Sequence, residues 1–213
     1  MYDVKKSMLL YAVTDSRWTG ERTLYEQVEA ALKGGVTCVQ LREKHLSKDR
    51  FLAEALDMKE LCHRYGVPLL INDDVELALA VQADGVHVGQ SDMEAASARA
   101  MLGPDRIVGV TARTVEQAKA AEAAGASYLG SGAVFGSTTK EDARPLDHAV
   151  LKQITEAVSI PVVAIGGITE ENLPLLHGTG VAGVALVSTI FSASDIESKC
   201  RELKVLSREM VKP

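Results

Sequence analysis

Leu9-Leu10-Tyr11-Ala12-Val13-Thr14-Asp15-Ser16-Arg17 carries an apolar run into a turn that contains no glycine, and that turn decides between two folds. Two patterns alternate along the whole chain. Short apolar, β-branched runs at 9–13, 36–41, 68–71, 85–88, 106–110, 127–132, 161–165 and 183–187 read as strands buried on both faces. Between them lie Ala/Glu/Lys/Leu-rich segments with helical spacing, such as Leu24, Val28, Ala31 and Leu32, or Phe51, Ala55, Met58, Leu61 and Cys62. Gly34-Gly35, Gly66, Gly103 and Gly125 stand where those helices should stop. An open doubly wound sheet would place a Gly-x-Gly-x-x-Gly turn after its first strand. The turn here is Val13-Thr14-Asp15-Ser16-Arg17. The nearest match, Gly130-x-Gly132, meets its next glycine one residue late, at Gly136, and leads into a loop. Eight strand–helix repeats without that turn predict an α/β protein: a (β/α)₈ TIM barrel, one compact domain over 1–213.

Bulk properties narrow the function. The chain has 213 residues, 46% of them hydrophobic, enough for one sizeable core. The formal charge is −6, from 23 basic and 29 acidic side chains. An acidic balance argues against nucleic acid or an anionic membrane as partner, so anion binding must be local. Cys38, Cys62 and Cys200 form no Cys-x-x-Cys pair and suggest neither a disulfide framework nor a zinc site. The apolar run from Met8 to Val13 has no small-residue cleavage site, and no run is long enough to span a bilayer, which predicts a cytoplasmic protein.

In such a barrel the chemistry sits at the carboxyl ends of the strands. The second strand finishes Gln40-Leu41-Arg42-Glu43-Lys44. Period-two alternation sends Val39 and Leu41 toward the helices, and Gln40, Arg42 and Lys44 toward the mouth. Polar groups near a barrel axis are costly unless something polar sits with them; the plain alternative is a solvated rim with an Arg42–Glu43 charge pair. The third strand ends Asn72-Asp73-Asp74 and the fourth Gly89-Gln90-Ser91-Asp92. Asp73 and Asp92 thus follow neighbouring strands, where two carboxylates repel unless a cation joins them. Hard oxygen ligation by one or two carboxylates plus a substrate phosphate is how Mg²⁺ is commonly held. Capping is the competing account, since Asp73-x-x-Glu76 and Ser91-x-x-Glu94 both fit capping boxes. Two such carboxylates facing Arg42 and Lys44 favour the metal–phosphate site.

Ile165-Gly166-Gly167-Ile168 and Val187-Ser188-Thr189-Ile190 follow the seventh and eighth strands. Loops there form the common phosphate site of these barrels, from backbone N–H groups and a short helix N-terminus. The sixth strand opens into Phe135-Gly136-Ser137-Thr138-Thr139-Lys140-Glu141-Asp142-Ala143-Arg144-Pro145, where three hydroxyls and a lysine could fold over an anionic substrate. His87 reads as a satisfied core residue, and His45, His63, His148 and His177 as surface or loop residues. No Ser/His/Asp or Cys/His arrangement emerges.

Taken together, "YAVTD" (11–15), "QLREK" (40–44), "INDDVELAL" (71–79), "ADGVHVGQSD" (83–92), "GSGAVFGSTTKEDA" (130–143), "IPVVAIGGI" (160–168) and "GVALVSTI" (183–190) closely resemble the thiamine phosphate synthase family, over nearly the full chain and in the same order. The resemblance implies a transferase of thiamine biosynthesis that joins hydroxymethylpyrimidine diphosphate to a thiazole phosphate, releasing pyrophosphate. It implies that Gln40, Arg42, Lys44, Asn72 and Lys140 hold the pyrimidine diphosphate, with Arg42, Lys44 and Lys140 acting on the leaving charge. It further implies Asp73 and Asp92 as ligands of a Mg²⁺ cofactor, Asp74 as a helix cap, and Ser137, Thr138, Thr139, Gly167, Val187 and Ser188 around the thiazole phosphate. The implied step is dissociative and needs no general base. The implied partners are these small molecules, and a homo-oligomer is compatible with them.

Two departures stand out: Thr111 replaces the family's usual Ser, and Gly136-Ser137-Thr138-Thr139-Lys140 replaces its usual Pro-Thr-x-Thr-Lys. Both keep hydroxyls, and Thr111 at the end of the fifth strand can donate to a diphosphate oxygen. Two other readings stay open: a sister group of the same fold that isomerises an aminothiazole or regulates, and a non-catalytic phosphate-sugar binder.

Overall fold

The structure, a computed structural model, describes residues 2–44, 46–136 and 145–212. Eight parallel strands close into a barrel in sequence order: β1 Leu10–Val13, β2 Cys38–Leu41, β3 Leu69–Asn72, β4 Gly85–Val88, β5 Ile107–Thr111, β6 Tyr128–Gly132, β7 Val162–Ile165 and β8 Gly183–Leu186. Closure leaves no exposed sheet edge, since β1 pairs with β8 through Leu10–Val184, Tyr11–Ala185 and Ala12–Leu186. The strands are short, four or five residues each, because both faces are buried and only the pairing length is needed.

Nine α-helices are described: α1 Val4–Ser7, α2 Leu24–Lys33, α3 Lys48–Arg64, α4 Val75–Ala80, α5 Ala95–Leu102, α6 Val115–Ala123, α7 His148–Ala157, α8 Ser188–Phe191 and α9 Ile196–Met210. Their starts follow local chemistry. In α2 a capping box joins Thr23 and Glu26, and Leu24, Val28, Ala31 and Leu32 lie buried on one stripe. The alternation predicts a helix in every crossover, but the one from β7 to β8 holds only a 3₁₀ turn, Leu173–Leu176. Pro174 lacks a donor at its start, and Gly178 and Gly180, both with positive φ, end it. The C-terminal α9 packs against that turn and against α2.

Two apolar clusters result from strand parity. Val39, Leu41, Leu69, Ile71, Val86, Val88, Val108, Val110 and Leu129 face the helices. Tyr11, Val13, Cys38, Leu70, Ile107, Tyr128, Val163 and Ala185 fill the barrel. The interior is therefore a packed core, and the site is confined to its rim.

Candidate active site

Parity puts Gln40 inside the barrel, 4% exposed, with its Nε2 donating to the Tyr11 hydroxyl. Two residues on, Arg42 leaves the sheet at the mouth. Its backbone N–H donates to Thr14 Oγ1 at 2.9 Å, and its Nη1 lies 3.3 Å from Asp15 Oδ2. Asp15 is buried at the end of β1 and also takes Nε and Nη2 of Arg17, at 2.9 and 2.7 Å. Those hydrogen bonds from Arg17, with the further pull of the Arg42 charge, hold the Asp15 carboxyl below its usual range. Asp15 is a residue that sequence reasoning missed as part of the site. The signal was present, a carboxylate at the carboxyl end of the first strand. Lys44 follows on the exposed rim.

The acidic stretch after β3 divides its labour. Asp74 is the N-cap of α4, its Oδ1 accepting from Leu77 N at 2.8 Å. Asp73, fitted to a capping box by spacing, does not cap: its N–H extends the ladder to His87 O at 2.8 Å, moving the helix start one residue on. Asp73 has φ +64°, a left-handed conformation that Asp and Asn tolerate better than other non-glycine residues, and its carboxylate is exposed. Asn72 Nδ2 donates to Asp73 Oδ2 at 2.6 Å. Such backbone strain collects at functional positions.

After β4 the second capping-box spacing also fails. Glu94 precedes α5 without a side-chain cap bond, and Asp92 Oδ2 turns back to accept from Gly89 N at 2.7 Å. The ladder sets Asn72 opposite His87, so Asp73 falls beside the end of β4, while Asp92 lies on the turn just beyond it. Both carboxylates are exposed at neighbouring strand ends. Among the described residues, no group of three or more His, Cys, Asp or Glu side chains could enclose a metal. Two hard oxygen donors on an open rim suit an ion that fills its remaining positions with water and substrate phosphate, as Mg²⁺ does.

Across the mouth the backbone takes over. Gly166 and Gly167 have φ +101° and +66°, and a Cβ at Gly167 would stand 2.7 Å from Phe135 O. Asn172 fixes that turn, its Nδ2 on Gly167 O at 2.9 Å and its Oδ1 on Thr169 N at 2.8 Å. Val187 opens α8 without a side-chain cap, so Ser188 and Thr189 begin the helix with no side-chain acceptor on its first turn. Thr189 Oγ1 ties this turn to the first by donating to Ile168 O at 2.5 Å. Glycine turn and helix start thus stand side by side at the ends of β7 and β8, where barrels of this kind commonly hold phosphate.

At the base of the rim lies a polar layer that sequence reasoning also missed. Tyr11 OH and Tyr128 OH are 2.8 Å apart, Tyr128 OH is 2.8 Å from His87 Nδ1, and His87 Nε2 is 3.0 Å from Thr111 Oγ1. His87 is thus satisfied on both nitrogens, as its strand position predicts. Burial holds both tyrosine hydroxyls well above their usual range, so they stay protonated. The three thiols are buried too, and burial pushes Cys62 and Cys200 up to about 12. Among the described residues, none of these groups offers an exposed nucleophile at the mouth. Ser137, Thr138, Thr139 and Lys140 lie outside the described residues.

A sequence model of the family described as "Thiamine monophosphate synthase" matches residues 10–190, from β1 into α8. The chain belongs to that family. Thiamine-phosphate synthase of Clostridium acetobutylicum is 50% identical over 192 residues, covering 90% of this chain and 91% of its own. The family member from Methanobrevibacter smithii, also named thiamine-phosphate synthase, is 48% identical over 186 residues, covering 87% and 88%. In structure, thiamine phosphate pyrophosphorylase from Pyrococcus furiosus superposes with a TM-score of 0.90 at 35% identity, over 99% of this chain and 100% of the other. The barrel of this chain thus shares its fold with that thiamine phosphate pyrophosphorylase over nearly its whole length.

Proposed function

We propose that this chain, acting as one barrel over 1–213, condenses hydroxymethylpyrimidine diphosphate with a thiazole phosphate to give thiamine phosphate and pyrophosphate, with Mg²⁺ as cofactor. The observation that supports it best is the pairing of two unlike anion sites on one rim: a charged side with Arg42, Asp73 and Asp92, and a backbone cradle at Gly167, Val187 and Ser188. A reaction that joins a diphosphate to a monophosphate needs both.

In the step, the carbon–oxygen bond to the diphosphate breaks as the thiazole nitrogen bonds to the pyrimidine methylene. The electron pair leaves with pyrophosphate. Gln40, Asn72 and Thr111 position the diphosphate substrate, and Arg42, Lys44 and Lys140 stabilise the charge that grows on the leaving group. Asp73 and Asp92 would hold Mg²⁺, which would supply Lewis acidity for the departing pyrophosphate. Ser137, Thr138 and Thr139, with Gly167, Val187 and Ser188, hold the thiazole phosphate in line with the methylene. The aminopyrimidine shares the positive charge left behind, so the step runs dissociatively without a general base. The satisfied nitrogens of His87 and the protonated tyrosines agree with that economy.

The proposed place of action is the cytoplasm; among the described residues, no helix is long and apolar enough to cross a membrane. The deciding experiment follows pyrophosphate release from the two purified substrates, with and without Mg²⁺. Release that requires both substrates and the metal supports the reading; no release with both present at saturation removes it.

A further inference from the structure

Asn172 stands at the N-cap position of the 3₁₀ turn Leu173–Leu176, yet its side chain makes no capping bond there. It reaches back instead, into the glycine turn after β7. Its Nδ2 donates to Gly167 O at 2.9 Å, and Thr169 N donates to its Oδ1 at 2.8 Å. A carbonyl can only accept and a backbone N–H can only donate, so these two partners settle which end of the amide is which. Turning the amide over would break both bonds. The same two bonds hold the Asn172 side chain itself in place.

The clamp closes on a flexible stretch of backbone. Gly166 and Gly167 both have positive φ, and without side chains the peptides around them rotate easily. Phe135 N donates to Gly166 O at 3.0 Å, which fixes the peptide before Gly167. That peptide is trans and planar, so the Gly167 N–H points away from Phe135 N. Asn172 fixes the peptide after Gly167 through its carbonyl. Although held from both sides, the Gly167 N–H meets no acceptor among the described residues, and Gly167 is exposed at the mouth. A backbone donor fixed in direction and open to solvent suits an anionic oxygen. We infer that Asn172 is a positioning residue for the phosphate of the thiazole substrate: by holding Gly167 O, it keeps the Gly167 N–H turned toward that phosphate. The inference rests on the proposed place of the thiazole phosphate at Gly167.

Two variants separate the two bonds. Asn172→Asp keeps an acceptor for Thr169 N and removes the donor to Gly167 O; Asn172→Ala removes both and adds no charge. Each should raise KM for the thiazole phosphate about ten-fold, with kcat at saturation within two-fold of the parent, because this phosphate stays on its substrate throughout the reaction. KM for the pyrimidine diphosphate and the Mg²⁺ requirement should stay as in the parent. Amide spectra of the intact ¹⁵N-labelled chain, titrated with inorganic phosphate, give a readout apart from activity. In the parent the Gly167 proton should move downfield and saturate; in Asn172→Ala it should need about ten-fold more phosphate. A parent Gly167 proton that ignores phosphate overturns the inference, as does an Ala variant that responds like the parent. So does an Asp variant with the parent's KM, which would give the role to the Thr169 bond. An equal rise in both KM values with a lowered Tm would also overturn it, leaving Asn172 a structural brace. The expected phosphate response in a chain that releases no pyrophosphate would overturn the proposed reaction and leave Asn172 positioning a phosphate.

Discussion

On the β1–β4 side of the mouth, Arg42, Asp73 and Asp92 present charged side chains, with Arg42 braced by the buried Asp15. On the β7–β8 side, Gly167, Val187 and Ser188 present backbone, braced by Asn172 and Thr189. On the proposed reading, the two sides hold an anion on an acidic protein by different physics. Charges can be tuned by metal, salt and pH, and they act over distance on charge that changes during a reaction. Backbone N–H groups cannot titrate, and they recognise a fixed anion by shape. On that reading, the leaving diphosphate takes the first side and the phosphate that stays on its substrate takes the second.

The largest expected break in this division comes from the carboxylates. Asp73→Asn and Asp92→Asn should each raise the Mg²⁺ concentration for half-maximal rate and lower turnover by roughly 10²-fold. Neither should unfold the chain, since Asn tolerates the φ of +64° at Asp73 and keeps an acceptor for Gly89 N at Asp92. Thermal melting alongside a metal titration checks it. Parent-like metal dependence with a lowered Tm would reduce both residues to structural turns.

Thr111 stands between the two sides, at the end of β5. Thr111→Ser keeps the hydroxyl and is expected within a few-fold of the parent. Thr111→Val keeps the shape but removes the group that meets His87 Nε2. A hydrogen bond to a charged group is worth roughly 1.5–3 kcal/mol, so kcat/KM should fall by about one to two powers of ten. A fully active Val variant would remove Thr111 from the site.

Gly167→Ala probes the backbone side alone. A left-handed alanine costs about 1–2 kcal/mol, and its Cβ would press on Phe135 O. The expected result is a KM for the thiazole phosphate raised about ten-fold, with the Mg²⁺ requirement unchanged. A shifted metal requirement instead would merge the two sides into one site and end the comparison.

What the sequence made legible follows from period and parity. The apolar runs locate all eight strands, and alternation places Val39 and Leu41 outward, as the helix-facing cluster shows, and Gln40 inward, where it meets Tyr11. Strand-end position brings Asp73, Asp92, Thr111, Gly167 and Ser188 to one rim. Contacts made only by closing the barrel were not legible: Tyr11 and Tyr128 are 117 residues apart and meet across the axis. Asp15 gains its role from Arg42, 27 residues on, which only the pairing of β1 with β2 brings beside it. Capping, the competing account at Asp73 and Ser91, does not hold there: Asp74 is the N-cap of α4, as the resemblance implies, and Glu94 precedes α5 without a side-chain cap bond.

The smallest expected effect is at Asp15, and it asks whether the charged side depends on a charge that touches no substrate. Asp15 lies 3.3 Å from Arg42 and 2.7 Å from Arg17, with its side chain only 6% exposed. Hydrogen bonds from Arg17 lower its pKa first, and the Arg17 and Arg42 charges add to this. An unfolded Asp titrates near its usual value of about 3.9. A carboxyl with a depressed folded-state pKa stabilises fully above that value, and the stabilisation is lost as pH falls through the folded pKa. Asp15→Asn removes the charge and keeps an acceptor. At neutral pH it should cost about 1 kcal/mol in urea unfolding, because Arg17 is more than half exposed and its share is screened. The difference from the parent should narrow as pH drops below about 4, where the parent loses the same charge. Arg42, less firmly held, should raise KM for the pyrimidine diphosphate a few-fold while the KM for the thiazole phosphate stays put. A difference that persists unchanged at acid pH would mean that Asp15 stabilises by shape, and an equal rise in both KM values would mean that the two sides of the mouth move together.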